Sequence, residues 1–524
     1  MIKKTLLLFT AVLCMAACQT EKKEINFPKT DLASAPLIPK PIKTIATNSA
    51  FGLDSATVIY TSTIDPEFEK VGKFLSEKIK GKTGLELAVN SSLDETTGRM
   101  IYINQSDSTD LETPESYQLY IKKDSILLNA KTAAGAFRGI QTLRQLIPEK
   151  SNDTLTDHPL WVIPSGKIID APKFVHRGAM LDVARHFFTV EEVKKYMDIL
   201  AYYKFNTLHL HLSDDQGWRI EIKSWPKLTE VGGATEVGGG KGGFYTQEEY
   251  MELVQYAAER YITIIPEIDM PGHTNAASFS YPFLNGNGKK LEAYTGTHVG
   301  FSTFDARKDT VYSFLDDVIG EIAAMTPGPY FHMGGDESHS TKKSDYIHFV
   351  EKVEKIVQKH GKTMIGWNEI AQAKIDPSSI AQLWNEPHNA IRAAENGSKI
   401  ILSPAVKVYL DMQYDSLTKL GLHWAAYIPV DEGYNWDPET YVEGLPKESI
   451  LGIEAPLWSE TISNSAELEY LAFPRIVGVA ELGWSTSENL NWDDYKVRLA
   501  QQAPYLKAMN INYYPTELVD WVEE

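Results

Sequence analysis

The 524-residue chain holds only two cysteines, shows no excess of positive charge and has no long apolar run beyond its first residues. Each scarcity excludes something. Cys14 and Cys18 both lie at the amino terminus, so no disulfide framework braces the rest. Lys and Arg number 51 against 70 Asp and Glu, a net charge of −19. That balance argues against a nucleic acid partner, whose phosphates are bound by an excess of cations. No later segment is apolar enough to span a bilayer. The glycines at Gly232-Gly233 and at 238–243 carry no phosphate-binding fingerprint, and no internal repeat is present. What the chain does hold is length for two domains and a large core, with 43% hydrophobic residues. It also holds 11 Trp and 26 Tyr, aromatic surface that suits sugar faces as well as packing.

The amino terminus reads as an export signal: Lys3 and Lys4, an apolar run over 6–15, then Ala16-Ala17-Cys18. Small residues before a cysteine resemble a bacterial lipobox, so residues 1–18 are read as a lipoprotein signal peptide in preference to an ordinary cleaved signal with a chance cysteine. Cys18 would be lipidated and anchor an exported protein to the cell envelope. Residues 19–37 are polar and read as a flexible tether. Residues 38–170 read as a small α+β domain, with strands over 56–61, 100–104, 117–122 and 125–129 and helices over 66–80 and 133–145. No cluster of acids or histidines in it suggests chemistry.

After Asp170-Ala171-Pro172 the pattern changes. Apolar strands over 177–183, 207–212, 262–268, 330–333, 363–367, 380–384, 399–402 and 450–456 alternate with helical segments. Eight such strands within 171–524 predict a closed (β/α)8 barrel of the TIM type.

In such barrels the carboxyl ends of the strands carry the chemistry. Strand four ends in His332-Met333-Gly334-Gly335-Asp336-Glu337. Acid pairs often just complement a helix dipole, but two preceding glycines permit unusual dihedrals and close approach. Adjacent carboxyls push each other's pKa apart, so one tends to stay ionised while its neighbour keeps a proton. Strand one ends in Arg185, a planar clamp for hydroxyls or a structural ion pair. Strand two gives His209-Leu210-His211 and then Asp214-Asp215, one of which could orient a catalytic histidine. His209 and His211 face the same side. A metal pair needs further histidines on later strands, so hydrogen-bonded barrel-lining histidines are the preferred reading and no metal is expected. Strand three leads to His273 on a Pro-Gly turn. Strands five, six and eight end in Trp367, Trp384 and Trp458, each followed two residues later by a glutamate, the last being Glu460. Tryptophan is rarely needed in barrel layers dominated by branched aliphatics. Tyr409 and Asp411 share one side if their stretch is extended.

Taken together, these motifs resemble family 20 glycoside hydrolases, the β-N-acetylhexosaminidases, over about 173–484, and the preceding domain resembles that family's accessory domain. The resemblance implies an exo-acting enzyme that removes terminal β-linked GlcNAc or GalNAc, retains configuration and uses no cofactor. Its nucleophile would be the substrate's own 2-acetamido carbonyl, an exception to the usual pair of carboxylates. It further implies Glu337 as general acid and base, and Asp336 as the group holding the acetamide and stabilising positive charge. Trp367, Trp384 and Trp458 would wall the acetamide pocket, and Tyr409 would hydrogen bond its carbonyl. Arg185, Asp411 and Glu460 would grip the other hydroxyls, Trp424 would stack on the leaving sugar, and His273 with Asp214 or Asp215 would buttress Glu337. Alternatives are a lacto-N-biosidase-like release of a disaccharide and a non-catalytic glycan-binding lipoprotein. Sequence leaves the natural glycan and the oligomeric state open.

Overall fold

The computed structural model describes residues 25–91, 98–108, 111–152, 154–289 and 291–522. The expected signal segment and Cys18 lie outside these residues. None of the described helices is long and apolar enough to cross a membrane.

The first unit is a seven-stranded sheet in the order β1-β7-β5-β6-β4-β2-β3. Its strands are β1 (Lys43–Leu53), β2 (Val58–Thr61), β3 (Val89–Asn90), β4 (Met100–Gln105), β5 (Tyr117–Ile121), β6 (Ser125–Ala130) and β7 (Trp161–Asp170). Helices α1 (Glu67–Thr83) and α2 (Ala133–Leu146) pack on it and on each other. Helix α2 approaches closely because it carries Gly139, where a Cβ would fall 2.4 Å from Leu128 Cδ1. Periodicity identifies the central strands but not β1 and β7, which pair antiparallel at the sheet's edge. Pro164 and Gly166 interrupt the second, and a register shift between Ala46 and Ala50 breaks the alternation of the first.

The expected tether over 19–37 is corrected in its last part. Leu32 and Leu37 are buried, and the carbonyls of Pro36 and Leu37 accept hydrogen bonds from Gln502 and Arg498 at 2.8 Å. The segment looks polar because its backbone, rather than a run of apolar side chains, holds it to the carboxyl-terminal helices.

The second unit is a closed parallel barrel of β8 (His176–Asp182), β9 (Thr207–His211), β10 (Thr263–Glu267), β11 (Tyr330–His332), β12 (Thr363–Trp367), β13 (Ile380–Leu383), β14 (Lys399–Leu402) and β15 (Ile450–Leu457). Along the strands its interior changes character. Ile265, Ile365, Ile380 and Ile401 cluster first. Two residues further along their strands, Glu267, Trp367 and Gln382 follow. The aromatic cluster of Trp367, Tyr409 and Trp458 with Met180 lies at the carboxyl ends.

The sheet unit is fastened to the opposite end of the barrel. Glu115 bonds both Arg138 (2.7 Å) and Arg177 (2.6 Å), which overcome its burial and hold its carboxyl down at about 2. Asp170 accepts from Lys204 Nζ and Trp484 Nε1, each at 2.9 Å. The accessory unit therefore braces the barrel floor and leaves the carboxyl-end rim open.

Candidate active site

The turn after β11 is set by its glycines. Gly334 and Gly335 have φ of 66° and 105°, and a Cβ on Gly334 would lie 1.8 Å from Asp269 Oδ1. That same oxygen accepts the Gly335 amide at 3.0 Å. Only glycine permits this close approach. Glu337 itself takes φ 43° and His273 φ 54°, left-handed conformations that non-glycine residues keep mainly where surrounding structure enforces them at functional sites.

The two loops meet at His273. Its Nε2 lies 3.6 Å from Asp336 Oδ2 and 3.6 Å from Glu337 Oε2, while its Nδ1 lies 3.3 Å from Asp214 Oδ1. The choice between the two aspartates is thus decided by geometry. Asp214 also binds His211 Nε2 at 3.0 Å and Arg185 Nη2 at 2.7 Å. Asp215 turns away and accepts from the Asn275 amide and Ser302 hydroxyl. Against its burial, Arg185 and then His273 hold Asp214 far below the carboxylate range. Burial and the Asp214 charge push Asp215 up to about 6. His273, although buried, is held well above the usual imidazole value by Asp214, Asp336 and Asp269. Burial and then the Asp336 charge raise Glu337. A carboxyl raised in this way, beside an imidazole that is itself anchored on Asp214, is suited to serve as a proton donor.

A pocket opens beside the acid pair, lined by Arg185, Tyr409, Asp411, Trp424, Trp458 and Glu460, with Trp384 on one wall and Thr297 and Val299 on another. Trp384 and Tyr409 are nearly parallel, 6.5 Å apart at 18°. Trp367 is fully buried, 5.7 Å from Trp458, and forms the floor under it. Trp424 is 55% exposed and stands at the rim. Arg185 lies over the Trp458 ring at 4.9 Å, so it is both an ion-pair partner and a pocket wall. Tyr409 and Asp411 follow the short helix Ala405–Val408, and pairing of the Leu410 amide with the Pro456 carbonyl at 2.8 Å aims both inward. Buried oxygens of Asp336, Asp411 and Glu460, and Arg185 Nε, have no protein hydrogen-bond partner. Such groups converging on a concave aromatic pocket fit a polyhydroxylated ligand. Of the three Trp-x-Glu glutamates only Glu460 lines this pocket. Glu369 instead accepts the Trp384 indole N–H at 3.1 Å, and Glu386 is exposed.

His209 and His211 line the barrel interior. His209 sits between Glu454 (2.9 Å) and Glu267 (3.0 Å), and His211 between Glu267 and Asp214. His209, Glu267 and His332 are close enough to share an ion. Sequence reading gave no role to Glu267, Asp269 or His332, although they stand in the strand-end motifs, nor to Glu454, Thr297 or Val299. For the two glutamates a signal existed: an acid inside an otherwise apolar barrel strand must be paired.

Residues 174–487 match glycosyl hydrolase family 20, catalytic domain, and residues 34–171 match glycosyl hydrolase family 20, domain 2. The protein belongs to glycosyl hydrolase family 20. In this family-20 chain the two matches cover the eight barrel strands and the seven-stranded sheet respectively. It is 37% identical to a β-N-acetylhexosaminidase of Cellulomonas fimi, over 93% of this chain and 97% of that one. The family 20 β-N-acetylhexosaminidase structure from Streptomyces coelicolor superposes with a TM-score of 0.89 at 46% identity, covering 94% and 100% of the two chains. The β-hexosaminidase of Streptomyces plicatus, solved as a mutant in complex with the product GlcNAc, gives 0.89 at 45% identity over 94% and 99%.

Proposed function

We infer that the protein is an exo-acting β-N-acetylhexosaminidase that removes terminal non-reducing β-linked GlcNAc or GalNAc by a retaining, substrate-assisted mechanism. One observation carries this reading. Asp336 and Glu337 sit on one turn, both 3.6 Å from the same imidazole nitrogen, at the mouth of a pocket walled by tryptophan and tyrosine. Neighbouring acids on one turn suit a division between proton donor and charge stabiliser, with the nucleophile supplied by the sugar.

In the first step the acetamide oxygen attacks the anomeric carbon as the glycosidic C–O bond breaks, and Glu337 gives its proton to the leaving oxygen. Asp336 holds the acetamide N–H and stabilises the charge of the oxazolinium ion as it develops. Tyr409 donates to the acetamide oxygen, and Trp384, Trp458 and the Trp367 floor confine the methyl, holding the internal nucleophile in attack geometry. In the second step water attacks the anomeric carbon from the side the leaving group vacated, Glu337 takes its proton and the acetamide is regenerated. His273, backed by Asp214, orients Glu337. Arg185, Asp411 and Glu460 grip the remaining hydroxyls and close the pocket after one sugar, which favours cleavage from chain ends. Trp424 at the rim suits stacking on the leaving sugar.

A defined tetrasaccharide ending in β-GlcNAc tests this: the expected first product is the free monosaccharide, in the β configuration. A disaccharide product would point to lacto-N-biosidase action, and an inverted sugar would end the mechanism. The lipobox supports anchorage through a lipidated Cys18 at the cell envelope. Full-length protein should partition with membranes and Cys18→Ser should not; equal partitioning would refute the anchor.

A further inference from the structure

Glu267, at the end of β10, has no part in the steps above, yet it is fully buried directly beneath the site. Its Oε1 accepts the Trp367 indole N–H at 3.0 Å and lies 3.0 Å from His332 Nδ1. Its Oε2 bonds His211 Nδ1 and lies 3.0 Å from His209 Nε2. Three of these contacts lead to different parts of the site. Trp367 is the floor under Trp458. His211 continues through Asp214 at 3.0 Å to His273. The His332 ring nitrogen also sits 3.0 Å from the Gly334 amide, where the turn bearing Asp336 and Glu337 begins.

We propose that Glu267 is a positioning residue that sets both halves of the reaction at once, the pocket around the acyl group and the imidazole behind the acid, through its simultaneous bonds to Trp367 and His211. The proposal rests on the function inferred above. Four contacts to one carboxylate are more than packing requires, and a buried charge so placed is costly unless every partner stays in position. The alternation of carboxylate and imidazole continues past it: Glu454 binds His209 and His176 at 2.9 Å each and Gln382 at 2.8 Å. The carboxylate therefore faces His209, His211 and His332, and shares these imidazoles with Asp214 on His211 and Glu454 on His209, while the charges of Glu267 and His211 also reach Asp269. Neutralising it while keeping its shape should loosen the indole and weaken the His211–Asp214–His273 line together.

Glu267→Gln tests this with two readouts that a purely structural role would leave alone. One is the ratio of kcat/KM for N-acetyl against N-butyryl aryl glucosaminides; the other is the pH profile of kcat/KM. The expected result is loss of acyl discrimination by about fivefold or more, on the scale of about 1 kcal/mol for a hydrogen bond, with a displaced pH limb. If Glu267→Gln folds poorly, 3-benzothienylalanine incorporated at Trp367 keeps the bicyclic shape and removes the N–H that reaches Glu267; it should lower acyl discrimination while leaving the pH profile in place. Wild-type discrimination and an unmoved pH profile in Glu267→Gln, with only the amplitude reduced, would overturn the proposal. So would unchanged discrimination in the benzothienylalanine variant. A wild-type enzyme inactive on both substrates would instead refute the inferred function itself.

Discussion

Replacing Asp336 by asparagine keeps the side chain's shape and removes one charge. The carboxylate is almost buried, and its Oδ1 has no protein partner, so its field is little screened. A full positive charge about 4 Å away would be attracted by about 4 kcal/mol at an effective dielectric near 20. Only part of that charge has developed at the transition state, and asparagine keeps a dipole, so the expected loss is about 3 kcal/mol, or roughly 10²-fold in rate. The assay is kcat/KM on an aryl β-N-acetylglucosaminide, with thermal unfolding as the control for fold. A second signature follows from the sign of the Glu337 shift. Burial first, and then the Asp336 charge, raise Glu337 above the usual carboxyl value, so it keeps its proton to higher pH than a free glutamic acid. Removing the charge leaves the lift from burial opposed by His273, Arg185 and His339, and the alkaline limb should move to lower pH. An Asp336→Asn enzyme within about fivefold of wild type would refute the electrostatic role, since so small a loss is about 1 kcal/mol. An alkaline limb that stays put or rises would refute the coupling.

Glu337→Gln should nearly abolish hydrolysis of substrates with poor leaving groups and spare those with very acidic phenols in the first step; equal losses on both would contradict its role as acid. Asp170→Ala should destabilise the protein by about 3–5 kcal/mol by stranding the buried Lys204 ammonium. Denaturant unfolding reads this, and a loss below about 1 kcal/mol would show the junction of sheet and barrel to be held by other contacts.

The barrel was legible because parallel strands buried on both faces read as short apolar runs separated by helices. The strand ends were legible for the opposite reason: tryptophans and acids there interrupt a pattern that packing alone would fill with aliphatics. The accessory sheet was only half visible, since Pro164 and Gly166 break β7 and the register shift hides β1. The packed segment from Leu32 to Leu37 was hidden because its anchors are carbonyls. Sequence left Asp214 and Asp215 equivalent, because parity ends with the strand; only the folded loop turns one toward His273 and the other toward Asn275. Glu369 could not be separated from Glu460 by spacing, as both follow a tryptophan by two, and one braces an indole while the other faces the pocket.

The most direct test of the mechanism is a series of substrates whose acetamide carries zero, one, two and three fluorines. Each fluorine weakens the carbonyl oxygen as a nucleophile and leaves the leaving group unchanged. If the sugar supplies its own nucleophile, the rate of the glycosidic step should fall steeply and steadily along the series. A flat series would mean that a side chain of the protein attacks instead.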